Sequence, residues 1–245
     1  MVTVKKILFL LSFFICAVQT QAQEDSASAV PPITADSIIR IYINAIGGEA
    51  VIRNIKDIKT IRTAVVQQIP ITITEMKKQP DKLKITLEGI NMVLQKVVVN
   101  KNKGYQENQG QRAELSPAEI TGTRSEADLL SKLRPKDYGI TREYKGIQQV
   151  DTFSTYLVEE TDMNGKLVQY YYDIKTGLLV RKAANEMTPQ GPTPTITTYT
   201  DYKKIPRTDG FKIPGTIRQE VGMQAVTSTL QNVEINKNIP DKEFE

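Results

Sequence analysis

Lys82-Leu83-Lys84-Ile85-Thr86-Leu87-Glu88 alternates polar and apolar side chains without a break. A period of two sets Leu83, Ile85 and Leu87 on one side of an extended strand and the polar residues on the other, the pattern of an antiparallel sheet with one dry face. The neighbouring sequence reads the same way. Upstream, Ile71-Thr72-Ile73-Thr74 alternates; downstream, MVLQKVVV over 92–99 continues the sheet, and Asn100-Lys101-Asn102-Lys103-Gly104 supplies turn formers before Tyr105 opens another strand. Further strands are expected over 137–144, 148–160, 167–173, 178–187, 195–203, 211–219 and 225–235. The sharpest turn signal is Asp162-Met163-Asn164-Gly165-Lys166, an Asn-Gly pair between alternating segments. A loop with three prolines is expected over 188–194. Ile239-Pro240-Asp241-Lys242-Glu243-Phe244 reads as an ordered tail that docks Phe244. About ten strands joined by short turns make a meander long enough to curl into a barrel.

Two stretches have the helical period instead. Thr34 is a suitable cap for a helix whose Ile38, Tyr42 and Ile46, with Ile39 and Ile43, form one apolar stripe, and Gly47-Gly48 supplies its stop. Residues 49–56 add a short turn. In mid-chain, Ser116-Pro117-Ala118-Glu119 is a capping-box start and Ala127, Leu129, Leu130 and Leu133 precede Arg134-Pro135. Thr121-Gly122-Thr123 is poor helix, which predicts two short helices or a broken one. A curved sheet needs its inner apolar face covered, and these helices are the elements available to cover it. The result is either a packed core or a cavity beneath a helical lid.

Composition sets the chemistry. Lys5 and Lys6, the apolar run ILFLLSFFICAV over 7–18 and the polar Gln19-Thr20-Gln21-Ala22 have the layout of a cleaved secretory signal over residues 1–22, too short to span a membrane. Residues 23–33 read as a flexible start, and 34–245 as a single domain. Ile15 before Cys16 is bulky where a lipid-modified cysteine needs a small neighbour, so Cys16, the only cysteine, leaves with the signal. Removing Lys5 and Lys6 from the 32 basic side chains leaves 30 against 28 acidic, a balance without the excess that nucleic acid demands. The chain has no histidine. Serine and cysteine triads and histidine-bearing zinc motifs are therefore excluded, and no metal or cofactor is expected.

The phrases Ile41-Tyr42-Ile43-Asn44-Ala45-Ile46-Gly47-Gly48-Glu49, Ile55-Lys56-Asp57-Ile58-Lys59-Thr60, Tyr156-Leu157-Val158-Glu159 with Asn164-Gly165-Lys166, and Tyr170-Tyr171-Tyr172-Asp173-Ile174-Lys175-Thr176-Gly177-Leu178-Leu179-Val180 carry a resemblance. Asp201-Tyr202, Gly210-Phe211-Lys212-Ile213-Pro214, Val233-Glu234-Ile235-Asn236 and Ile239-Pro240-Asp241 extend it over nearly all of 36–244. In these the chain resembles the periplasmic outer-membrane lipoprotein-sorting (lipoprotein carrier) superfamily, in particular stand-alone members of Bacteroidetes-type bacteria. The resemblance implies a half-open, strongly curved antiparallel β-barrel lidded by helices, holding the acyl chains of a lipoprotein or another lipid.

The expected function is accordingly a periplasmic, monomeric, non-catalytic carrier whose partners are lipid or lipidated protein cargo and a transient envelope protein. The alternative is an envelope interaction module with a filled barrel and a protein partner; a carboxylate hydrolase is a third reading. Candidate cavity residues are Leu83, Ile85, Leu87 and Met92 from the sheet and Leu129, Leu130 and Leu133 from the lid. Tyr170 and Tyr172 share a face that Tyr171 does not, so a sugar-stacking platform would need help from Tyr156 or Tyr199, and ordinary strand roles are the simpler reading. Glu159 and Glu160 point to opposite faces and read as solvated turn charges. Asp162 and Asn164 lack the other ligands of a calcium loop. Of the methionines outside the signal, Met76, Met92, Met163, Met187 and Met223, only Met92 lies in a strongly apolar strand, and core filling is its simplest role.

Overall fold

The period-two segments pair into one sheet. The computed structural model describes residues 32–188 and 191–245; the expected signal and all but the last two residues of the 23–33 stretch lie outside the described residues. The strands are β1 (Asp57–Val66), β2 (Ile69–Lys78), β3 (Lys82–Gly89), β4 (Met92–Asn100), β5 (Lys103–Asn108), β6 (Gln111–Glu114), β7 (Thr141–Val150), β8 (Phe153–Thr161), β9 (Leu167–Asp173), β10 (Leu179–Thr188), β11 (Gly191–Lys204), β12 (Lys212–Val221) and β13 (Gln224–Ile235). Their order across the sheet is β6-β5-β4-β3-β2-β1-β13-β12-β11-β10-β9-β8-β7, with every neighbour antiparallel. Two meanders, β1 to β6 and β7 to β13, thus meet where the first strand pairs with the last. β6 and β7 are left as the free edges, so the sheet is open.

Bulges curve it. The register slips by a residue or more between Ile61 and Arg62, Leu87 and Glu88, Tyr144 and Ile147, and Leu179 and Arg181. Each slip bends its strand and increases the local twist, which turns a long meander into a half-barrel.

Thirteen strands exceed the ten expected. β6 is four exposed residues, Gln-Arg-Ala-Glu, with no alternation to betray it. In β7 the bulge around Gly146, at φ 99°, breaks the phase, so one strand reads as pieces of two segments. The proline-rich stretch is mostly strand: Pro192 and Pro194 pair with Met187 and Asn185 across the β10–β11 hairpin. Proline is tolerated there because β11 has outrun β12, whose register ends at Thr195↔Val221.

Helix α1 (Ala35–Ala45) starts at Thr34, whose Oγ1 accepts from the Ser37 amide at 3.1 Å while the Thr34 amide donates to Ser37 Oγ at 2.9 Å. It buries Ile38, Ile39 and Ile43 and stops at Gly47, φ 130°, where a Cβ would sit 2.9 Å from Phe211 Cα. A short α2 (Glu49–Arg53) buries Ile52. The long connection from β6 to β7 carries α3 (Pro117–Ala127) and two 3-10 turns, Ser131–Leu133 and Pro135–Tyr138, from one free edge to the other.

The expected break at Thr121-Gly122-Thr123 does not occur. Thr121 and Thr123 return their hydroxyls to the Pro117 and Glu119 carbonyls (2.9 and 2.8 Å), which satisfies them within the helix. The break falls at Asp128, whose carboxylate accepts from the Leu130 amide (2.9 Å), Arg134 (2.5 Å) and Tyr138 (2.8 Å).

The main core lies on the concave side, where Ile38, Ile39, Ile43 and Ile46 meet Val158, Tyr172, Leu179 and Phe211. α3 packs on β3 and β4 further along the same face. A smaller cluster sits on the convex side: the tail forms a 3-10 turn, Asp241–Phe244, and Phe244 and Ile239 pack against Val98, Tyr105 and Met76. Lys78 and Lys82 hold Asp241 at 2.7 and 3.0 Å, and Lys84 holds Glu243 at 2.9 Å.

Candidate functional site

Between α1, α3 and the concave face lies a cavity of 460 Å³. Strands β2 and β9, with five strands between them in the sheet order, both border it, which expresses how far the sheet curls. The apolar wall is Ile43 and Ile46 of α1, Ile58 of β1, Leu179 of β10, Phe211, and Ile213 and Ile217 of β12. Tyr42, Tyr170, Tyr172 and Tyr199 continue it, with Tyr42 and Tyr172 rings 5.3 Å apart and tilted, and Tyr170 and Tyr172 stacked at 6.4 Å. The three-tyrosine run splits as alternation requires: Tyr170 and Tyr172 line the cavity, while Tyr171 turns away and donates to Gln169 at 3.1 Å. Burial pushes the Tyr42 phenol up to about 12 and those of Tyr170, Tyr172 and Tyr199 higher, so all stay neutral near pH 7.

One end of this wall is charged. Glu160 on β8 is 4 % exposed and pairs with Lys132, from the turn after α3, and with Arg142 of β7 at 3.1 Å. Arg142 also donates to the Lys132 carbonyl at 2.7 Å. Lys132 Nζ stands 3.5 Å above the centre of the Tyr170 ring, and burial lowers its pKa against the opposing pull of Glu160. Lys182 on β10 is the register partner of Tyr170 and also faces the cavity. Glu160 is therefore a buried counter-ion at the end of the lid and not the solvated turn charge its sequence position suggests. Glu159 does point away, taking a hydrogen bond from Gln169 at 2.9 Å. At the cavity's other side Arg62 of β1 donates to the Pro214 and Gly215 carbonyls (2.6 and 3.3 Å), where β12 has parted from β13. Burial lowers its pKa against the attraction of Glu75.

The seven candidate residues are not brought together. Leu129 lines the cavity. Leu130 is buried in the core beside it, and Leu133 packs on that core facing a separate cleft with Asp36 and Ile39. Leu83, Ile85 and Leu87 share the face of Lys77, Glu75 and Ile73 by register, which is the cavity face, but none of them lines the cavity, and Leu83 is fully buried. Met92 is at the tip of the β3–β4 hairpin, 50 % exposed, filling neither core nor cavity, because the turn at Asn91 and the bulge beside it lift the strand end clear. The charged lining was missed by sequence reading. Its signal was a charge in phase with inward apolar positions: Glu160 follows Tyr156 and Val158, and Arg62 follows Ile58 and Thr60.

A second cavity of 140 Å³ adjoins the first, sharing Ser125, Glu126, Ile140, Glu160, Tyr170 and Lys182, and reaches the Asp162–Lys166 turn. No cluster of carboxylates able to hold a metal exists among the described residues. The chamber's volume falls within the ~300–1,000 Å³ of small-ligand sites, and its apolar wall has charged groups at both ends, Lys132, Arg142, Glu160 and Lys182 at one and Arg62, Glu75 and Lys77 at the other.

The architecture is a half-barrel whose concave face is covered by helices over a chamber. Its fold is that of LolA superfamily proteins and outer-membrane lipoprotein-sorting domains. The LolA superfamily protein NE2245 from Nitrosomonas europaea is similar with a TM-score of 0.59 at 12 % identity, over 87 % of this chain and 98 % of that one. A DUF1329 family protein from Desulfovibrio piger is similar at 0.57 and 11 % identity, over 85 % and 96 %. A putative outer membrane lipoprotein-sorting protein domain from Vibrio parahaemolyticus is similar at 0.51 and 10 % identity, over 77 % and 88 %. At such identities the likeness is one of fold. No family model and no curated protein matches the sequence.

Proposed function

We propose that this chain is a non-catalytic carrier or binder of acyl lipids or lipidated protein in the cell envelope, delivered there by the segment bearing Lys5, Lys6 and the apolar run that follows. The observation that carries the reading is the 460 Å³ chamber, walled by isoleucines, leucine, phenylalanine and neutral tyrosines and covered by α1 and α3. Its fold neighbours include a putative outer membrane lipoprotein-sorting protein domain. Affinity would come from apolar area withdrawn from water, at ~25 cal/mol per Å² before the costs of association. No helix among the described residues is long and apolar enough to cross a membrane.

A second reading, a filled module that binds a protein partner, draws on the other half of the concave face, where Leu83 and Val99 are fully buried and α3 packs on β3 and β4. Mass spectrometry of lipids and acylated peptides extracted from protein purified gently from its native host separates the two. Stoichiometric acyl cargo is expected. An empty protein that also leaves N-phenyl-1-naphthylamine dark would rule the carrier out and favour the module.

A further inference from the structure

The chamber's charged end has more donors than the protein uses. Around the Tyr170 ring converge Lys132, directly above it, Lys182, its register partner, and Arg142, joined to Lys132 through Glu160. These three cations touch two carboxylates, the buried Glu160 and the exposed Asp36, which meets Arg142 at 3.4 Å; Glu126, on α3 at the neck, is also exposed to solvent. Lys182 makes no side-chain hydrogen bond or ion pair among the described residues. Two further donors on the same lining are buried without a hydrogen bond, the hydroxyl of Tyr172, a residue 1 % exposed, and Nε of Arg142, against one such acceptor, Glu160 Oε1, which has its ion pair with Arg142 at 3.1 Å. Buried donors without acceptors are costly, and they accumulate where a ligand supplies the acceptors. Once the exposed Asp36 and Glu126 are set aside as screened by water, the neck's inner charge is net positive, and beneath a low-dielectric lid this favours a ligand whose acceptors are ionised.

We propose that the ligand is a single-chain acidic amphiphile, its carboxylate or phosphate head held at the neck by Lys182, the Tyr172 hydroxyl and Arg142, and its chain lying against Ile43, Ile46, Ile58, Leu179 and Phe211. This rests on the carrier reading and names its substrate class. The chamber's 460 Å³ is at the low end of drug-sized sites, which suits one acyl chain. Lys132 is occupied by Glu160 and Tyr170, so it sets the field and leaves Lys182 to make the contact.

The test is displacement of N-phenyl-1-naphthylamine from the purified full chain by three probes with the same chain: oleate, oleoyl-lysophosphatidylglycerol and uncharged monoolein. Both acids are expected to displace the probe at about tenfold lower concentration than monoolein, the worth of one charge-assisted hydrogen bond. Whichever acid is tighter tells carboxylate from phosphate. Lys182→Gln should bring the acids to the level of monoolein, and Tyr172→Phe, which keeps the ring and its packing, should reduce the same ratio by a smaller factor. Melting curves of both variants confirm folding. Monoolein binding as tightly as the acids to the wild-type chain would overturn the acidic-head proposal and leave the carrier standing. Failure of all three to displace bound probe would count against the carrier itself.

Discussion

Glu160 shows how one side chain can set the character of a site. Its carboxylate is 4 % exposed and is shared by Lys132 and Arg142, the first from the lid's trailing turn and the second from the edge strand β7. Buried pairs of this kind contribute little net stability, but breaking one strands a charge. Glu160→Gln keeps the shape and removes the charge, leaving Lys132 and Arg142 facing each other. Unfolding in urea should show a loss of about 3 kcal/mol, the cost of uncompensated buried charge. A loss near zero would mean that water reaches both cations and that the lid is open in solution. The sequence shows Glu160 as one of two adjacent carboxylates by a turn, and only the partners from residues 132 and 142 make it a buried ion. Alternation reveals which face a strand residue takes; it does not reveal whether the face is wet.

At the scale of elements, most boundaries were legible because they are written in local chemistry. Thr34 and Ser116 cap their helices through interactions three residues apart, and Asn-Gly turns β8 into β9. What was not legible depended on distant contacts. β6 exists because β5 offers it a partner, and Leu129, rather than Leu133, meets the chamber because Asp128 folds the chain back on itself. The tail is legible through Phe244, although its destination on the convex face is not. There Lys78 and Lys82, by hydrogen bonding, hold Asp241 at a pKa of about 2, below its ordinary 3.8. Because the folded value is the lower one, the docked tail gains its full stabilisation above pH ~3.8 and loses it as pH falls through ~2. The carboxyl ¹³C shift of Asp241 is expected to titrate near 2, and a midpoint at the ordinary value would show the tail undocked.

Over the whole molecule, the seam between β1 and β13 decides integrity. Every other pair in the sheet joins strands consecutive in the chain, so each hairpin can form from nearby residues. Within the sheet the seam is where strands of the two meanders pair, with Asn236 donating its amide to Asp57 O at 2.9 Å at one end. Deleting residues 224–245 removes β13 and the tail together. The remaining twelve strands should lose cooperative unfolding and expose apolar surface to 8-anilinonaphthalene-1-sulfonate; a sharp single transition would show that the meanders hold each other through α1 and α3 instead. Both the chamber and its lid span this seam, since Ile58 and Thr60 lie on one side of β13 and Ile213 and Ile217 on the other.

The same adjacency of first and last strands has a cost in time. A chain that arrives N-terminus first, from a ribosome or through a translocation pore, exhibits β1 long before β13 exists to cover its open backbone edge. At ~5–20 residues per second the wait is roughly 10–35 s, far longer than a hairpin needs to form. Throughout that interval β1 is a template for any passing strand, including the equivalent strand of another nascent copy. Crowding of newly made chains, more than the stability of the finished sheet, would then set the yield of this protein, and slowing its production would raise it.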